Sequence, residues 1–163
     1  MHRIIYLIPY SFFEWCESTL LGHWIAQSKY LFAIFETLHI MALAVLLGSM
    51  LVVDMNLLGL GRQWTSPGEL TKALGPWTWS SLAVMVSTGV PLLLSEATRM
   101  SRSAPFYYKM LFLLLAIAGH ITIHRRAVGS RSDESMWLGK LAACVSLICW
   151  FGVALAGRAI AFL

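Results

Sequence analysis

Eight ionisable side chains sit inside stretches of sequence that are otherwise apolar: Glu36, His39, Asp54, Glu96, Lys109, His120, His124 and Arg158. Such groups are expensive in hydrocarbon, so they face the interior of a helical bundle and mark binding, proton or ion-pair sites. Histidines on facing helices are the axial ligands of b-type haem, and His39 and His120 are the first pair to consider. His120 and His124 stand at i and i+4, one face of one helix, a spacing that can chelate a metal such as copper. Beside Arg125 and Arg126, His124 is equally well explained as an interfacial histidine without a ligand. His39 likewise fits either a ligand or a hydrogen-bonded core residue. Arg158 suits a pairing with Glu36 or Glu96, or an anionic group such as a haem propionate or a lipid head. Glu36 and Asp54 are candidates for proton handling, and Lys109 for an ion pair.

These residues need helices that cross a membrane. The chain has 163 residues, 58% hydrophobic and only 12% charged, with a mean hydropathy of +0.71. A soluble domain of this size could not cover its surface with so few polar side chains. A spanning helix takes ~20 mostly apolar residues. Four stretches qualify: residues 30–59, 75–96, 105–124 and 136–162. The fold expected is an all-α integral membrane protein, a four-helix transmembrane bundle (30–163) behind an N-terminal segment (1–29). Within that segment Ser11 to Glu14 has the form of a capping box. Phe13, Cys16, Leu20 and Trp24 follow at helical spacing, the pattern of an amphipathic helix lying in the interface. A signal peptide is not expected, because Pro9 interrupts the apolar run and no small-residue cleavage site follows.

Alternating helix direction sorts the polar residues by depth. Glu36, His39, Glu96, Lys109 and Arg158 fall at one end, and Asp54, His120, His124 and Lys140 at the other. His120 lies about fifteen residues into its span, roughly 22 Å, and His39 on the order of 5–13 Å into its own. One haem between them would need a helix to slide by about two turns. Two separate sites are easier to build. One would use His39, with His23; the other would use His120 or His124, with Met50, Met55 or a partner subunit.

Lys and Arg decide orientation. Arg62, Lys72, Arg125, Arg126, Arg131 and Lys140 stand against Arg3, Lys29, Arg99 and Arg102. The larger set belongs in the cytoplasm, which leaves both termini and the His39 end outside. The formal charge of +4 comes from these flanking residues and does not point to nucleic acid. Ala44 with Gly48, and Gly152 with Ala156, are small-residue pairs at helix-packing spacing. Gly89 and Pro91 are expected to bend the second span. Phe106, Tyr107 and Tyr108, and separately Trp77 and Trp79, read as aromatic belts.

Three stretches together carry a resemblance. Glu36-Thr37-Leu38-His39 leads through Gly48 to Val53-Asp54-Met55-Asn56-Leu57-Leu58-Gly59. Lys109 opens a span that closes Ile123-His124-Arg125-Arg126, and the last helix runs Ala156-Gly157-Arg158-Ala159-Ile160-Ala161-Phe162. From about Phe12 onward the chain resembles a bacterial family of small four-span inner-membrane proteins classed as a domain of unknown function. The resemblance implies Glu36, His39, Asp54, Lys109, His124 and Arg158 as recurring polar positions, with Asn often standing where this chain has His120. More distantly, it is similar to membrane b-type cytochromes and copper-resistance membrane proteins.

Three functions remain open on these grounds. The first is a membrane subunit of an electron-transfer system, binding b-type haem or contacting quinone and working with a periplasmic redox partner. The second is a copper-handling membrane protein with His and Met ligands. The third is a cofactor-free accessory subunit of a larger complex. No G-x-S-x-G, H-E-x-x-H or phosphate-binding glycine loop marks a soluble-type enzyme.

Overall fold

The computed structural model describes residues 9–60, 65–127 and 133–160. Within them the chain forms two short helices, α1 (Tyr10–Glu17) and α2 (Leu20–Gln27), then α3 (Lys29–Leu57), α4 (Pro67–Ser95), the short α5 (Ala97–Ser101), α6 (Ala104–Ala127) and α7 (Asp133–Ile160). The four long helices are apolar enough to cross a membrane. They follow one another antiparallel, α3 along α4 and α6 along α7, with α3 also packed on α7. This is an integral membrane four-helix bundle.

Local signals set the helix ends. Ser28 caps α3, its hydroxyl accepting from the Leu31 amide at 3.3 Å. Gly59 stops α3 in the left-handed region, at φ 106°, with the Leu60 amide donating to the Met55 carbonyl at 3.0 Å. The first span therefore ends at Leu57, before the expected residue 59. The second begins earlier than expected, at Pro67 rather than residue 75. A capping box causes this: Ser66 Oγ accepts from the Glu69 amide at 3.3 Å, and Glu69 Oε2 accepts from the Ser66 amide at 3.2 Å. Pro67 at the first helical position needs no amide partner. The turns before residue 75 carry Glu69, Thr71 and Lys72, which hide them from a hydropathy reading.

The N-terminal segment departs from its expected form. Ser11 does not cap; α1 starts at Tyr10 behind Pro9, without a side-chain cap. The helix breaks at Ser18 and restarts at Thr19, whose hydroxyl accepts from the Gly22 amide. That break rotates the buried face, so Phe13 and Cys16 are buried while Leu20 and Trp24 are 76% and 64% exposed. The buried residues of α2 are Gly22 and Ile25. A Cβ on Gly22 would lie 2.6 Å from the Leu94 carbonyl oxygen, so glycine is what lets α2 lie across α4. Beside it, Glu17 Oε2 accepts from the Thr98 amide at 3.1 Å and ties α1 to the first turn of α5.

Two apolar clusters fill the bundle. Ala42, Leu46, Met50, Met85, Ala116, Cys149 and Trp150 occupy the middle. Phe13, Cys16, Ala97 and Phe106 form a second cluster at the His39 end, roofed by α1. Phe106 is thus a core residue, edge-on to Phe13 at 6.4 Å, and not part of an aromatic belt. Tyr108, Trp77 and Trp79 are exposed as belt residues should be. Gly152 does bring helices together, since a Cβ there would stand 2.8 Å from the Phe112 ring. Ala44 and Gly48 do not; both face outward, with nothing near Gly48.

Gly22→Ala and Gly152→Ala are each expected to destabilise the protein by ~1–3 kcal/mol through overpacking. Gly48→Ala is expected to be neutral or slightly stabilising. Thermal unfolding in detergent, followed by circular dichroism, measures all three.

Candidate functional site

Transmembrane serines and threonines commonly spend their proton on a carbonyl of their own helix. Thr88 does this, donating to the Val84 carbonyl at 2.7 Å. Its oxygen is then an acceptor for a neighbouring helix. His39 Nδ1 lies 3.0 Å from that oxygen. With the Thr88 proton on the Val84 carbonyl, the pair is made by the Nδ1–H tautomer of His39, in which Nε2 is the lone-pair nitrogen. An imidazole oriented through Nδ1–H is the arrangement by which proteins present Nε2 to a ligand.

The other helices close around this ring. Gly89, next to Thr88, would put a Cβ 3.0 Å from His39 Cε1, so its missing side chain makes the space the imidazole occupies. Lys109 on α6 is near enough to act electrostatically on His39. Its side chain runs past Gly157 on α7, where a Cβ would stand 3.7 Å from Cε and Nζ. All four long helices therefore contribute: His39, Thr88 with Gly89, Lys109 and Gly157. Arg158 follows Gly157 at the same end and is exposed, as is Glu36, one turn before His39. Glu96 pairs with Arg99 at 3.3 Å, within three residues of chain.

His120 belongs elsewhere. It is 9% exposed and packs edge-on against Trp79, ring centroids 5.7 Å apart. Trp79 and Thr88 are nine residues apart on α4, about 13 Å along the axis. The middle cluster of Leu46, Met50, Met85, Ala116 and Trp150 lies among these helices. His124 lies on α6 one turn beyond His120, and its side chain falls outside the described residues. Among the described residues no three of His, Cys, Asp and Glu come together as a metal site.

At the Asp54 end, Asp54 is 2% exposed and takes a hydrogen bond from Ser146 of α7. Ser49 and Thr78 join α3 to α4 at 3.1 Å. Sequence reasoning named His39, Lys109 and Asp54 as candidates but not Thr88, Gly157 and Ser146, which the structure sets beside them, and read Gly89 only as a bend. A hydroxyl or glycine facing a histidine at matched depth was the available signal, and it requires knowing which helices touch.

A model of a family of unknown function, DUF6644, matches residues 12–163. The chain belongs to that family. The match covers the whole bundle and both polar ends, in keeping with the small four-span membrane family expected from the sequence. No curated protein and no solved structure matches the chain.

Removing the Thr88 hydroxyl unlocks the imidazole. Thr88→Val is expected to cost ~1 kcal/mol for the lost hydrogen bond and to convert His39 from the single Nδ1–H tautomer to a mixture. Nitrogen NMR of histidine-labelled protein reads the tautomer directly. A mixture already present in the unsubstituted protein contradicts the assignment.

Proposed function

We propose that this protein is a membrane subunit of a bacterial inner-membrane electron-transfer system, contacting quinone at the His39 end of its bundle. The observation that carries the reading is the His39–Thr88 hydrogen bond through Nδ1, with Lys109 of α6 at the same end of the bundle; in the Nδ1–H tautomer Nε2 is the acceptor. A quinol hydroxyl donates to such a nitrogen, and a nearby cation stabilises the negative oxygen that forms as the proton leaves. A quinone is lipid-soluble and reaches such a site from the bilayer, between helices.

The excess of Lys and Arg in the loops on the other side supports a periplasmic His39 end with both termini on the same side. On that side, quinol oxidation releases two protons outward and passes two electrons to a redox centre on a periplasmic partner. The subunit's own part is to bind the quinol, accept its hydrogen bond at His39 and hold the developing charge at Lys109.

A haem at the same end, with His39 Nε2 as axial ligand and Arg158 against its propionates, is the competing reading. It is favoured by the position of Arg158 next to Gly157. Two measurements separate them. Titration of the purified protein with a short-chain quinone analogue, followed by tryptophan quenching, is expected to saturate. His39→Ala is expected to weaken that binding about tenfold, as the loss of one such hydrogen bond would. Binding that is unsaturable, or indifferent to His39→Ala, sinks the quinone reading. A reduced-minus-oxidised spectrum with Soret and α-band changes would transfer the site to haem.

A further inference from the structure

Asp54 is the most deeply buried ionisable group among the described residues, on a helix that crosses the membrane. Its surroundings supply little to a negative charge. Ser146 on α7 donates one hydrogen bond, whereas Oδ2 is buried with no hydrogen-bond partner. A carboxylate offers about four acceptor sites and in protein interiors fills them with donors or a cation. Around Asp54 the chain supplies Met50 and Val53 from α3 itself, both buried, and Leu57 lies against Gly139 of α7.

Among the described residues, no hydrogen bond reaches Oδ2 from the charged and titratable groups at this end. Lys72 on α4 and Lys140 on α7 are exposed. Glu69 is engaged with Ser66 at the start of α4, and His120 on α6 packs against Trp79. The side chains of His124, Asp133 and Glu134 lie outside the described residues.

We propose that Asp54 is a proton-binding site of the bundle, a neutral carboxylic acid held between α3 and α7 that exchanges its proton with the aqueous phase at that end. The neutral acid avoids the cost of an unpaired charge in hydrocarbon. Ser146 orients the group and stabilises the carboxylate each time the proton leaves. The remaining oxygen is the place where a proton or a transient water is taken up. This site stands on its own geometry and does not depend on the quinone reading; with the His39 end it would give the bundle a proton group near each face.

A hydrophobic carbodiimide tests it. The acid proton moves to a carbodiimide nitrogen, a carboxylate oxygen bonds to the central carbon, and the O-acylisourea rearranges to a stable N-acylurea without loss of atoms or any redox change. The full-length protein in lipid vesicles is treated with dicyclohexylcarbodiimide and mapped by mass spectrometry. The expected result is an adduct on Asp54 whose yield falls about tenfold per pH unit once the carboxyl titrates, and which sodium ions do not prevent. Asp54→Asn removes the adduct. Ser146→Ala keeps the carboxyl and the adduct and moves the midpoint to higher pH. An adduct absent from Asp54 in the unsubstituted protein, labelling indifferent to pH, or protection by sodium ions, which would mark a cation site, overturns the proposal.

Discussion

In hydrocarbon a polar group has no water to fall back on, and most of this structure follows from that lack. Backbone amides are satisfied within helices, the only open-ended element that can cross a bilayer. Side-chain hydroxyls obey the same demand. Ser49 donates to Leu46, Ser81 to Thr78, Thr88 to Val84, Ser95 to Leu92 and Thr122 to Ala118, each on its own helix. A hydroxyl whose proton is spent this way is an acceptor for whatever lies opposite. That turns Thr88 into the anchor of His39 and Ser49 into the partner of Thr78.

Glycines do the complementary work of bringing backbones and rings together where a Cβ would crowd them. Gly22 admits the Leu94 carbonyl, Gly89 admits the His39 ring and Gly152 admits Phe112. Without a hydrophobic force between helices in lipid, association relies on such close packing and on interhelical hydrogen bonds. The same contacts therefore hold the bundle together and shape its polar end. Substitutions meant to probe the site will also probe the packing, and the two are best separated by pairing each glycine or hydroxyl variant with a stability measurement.

Polar groups are concentrated towards the two ends, with an apolar layer of Leu46, Met50, Met85, Ala116 and Trp150 in the middle. The α1–α2 segment roofs the His39 end with Phe13 and Cys16 while turning Trp15, Leu20, Leu21 and Trp24 outward.

Apolar runs long enough to cross a bilayer can be counted without coordinates, so the four spans and the separation of His39 from His120 were legible in the sequence. Of the ionisable residues expected to face the interior, Asp54 is buried and Lys109 half-buried, whereas Glu36 and Arg158 are exposed. Helix ends were legible only where a local rule governs them. Ser66-Pro67-Gly68-Glu69 held a capping box that a hydropathy reading passes over, whereas Ser11 to Glu14 had the right letters and no cap. Which faces meet was decided by the tertiary structure alone. Long membrane helices are apolar nearly all round, so periodicity carries almost no information about which side is inside. The pairing of His39 with Thr88, the space left by Gly89, and the placing of Asp54 against Ser146 depend on rotations that only packing the four helices together could set.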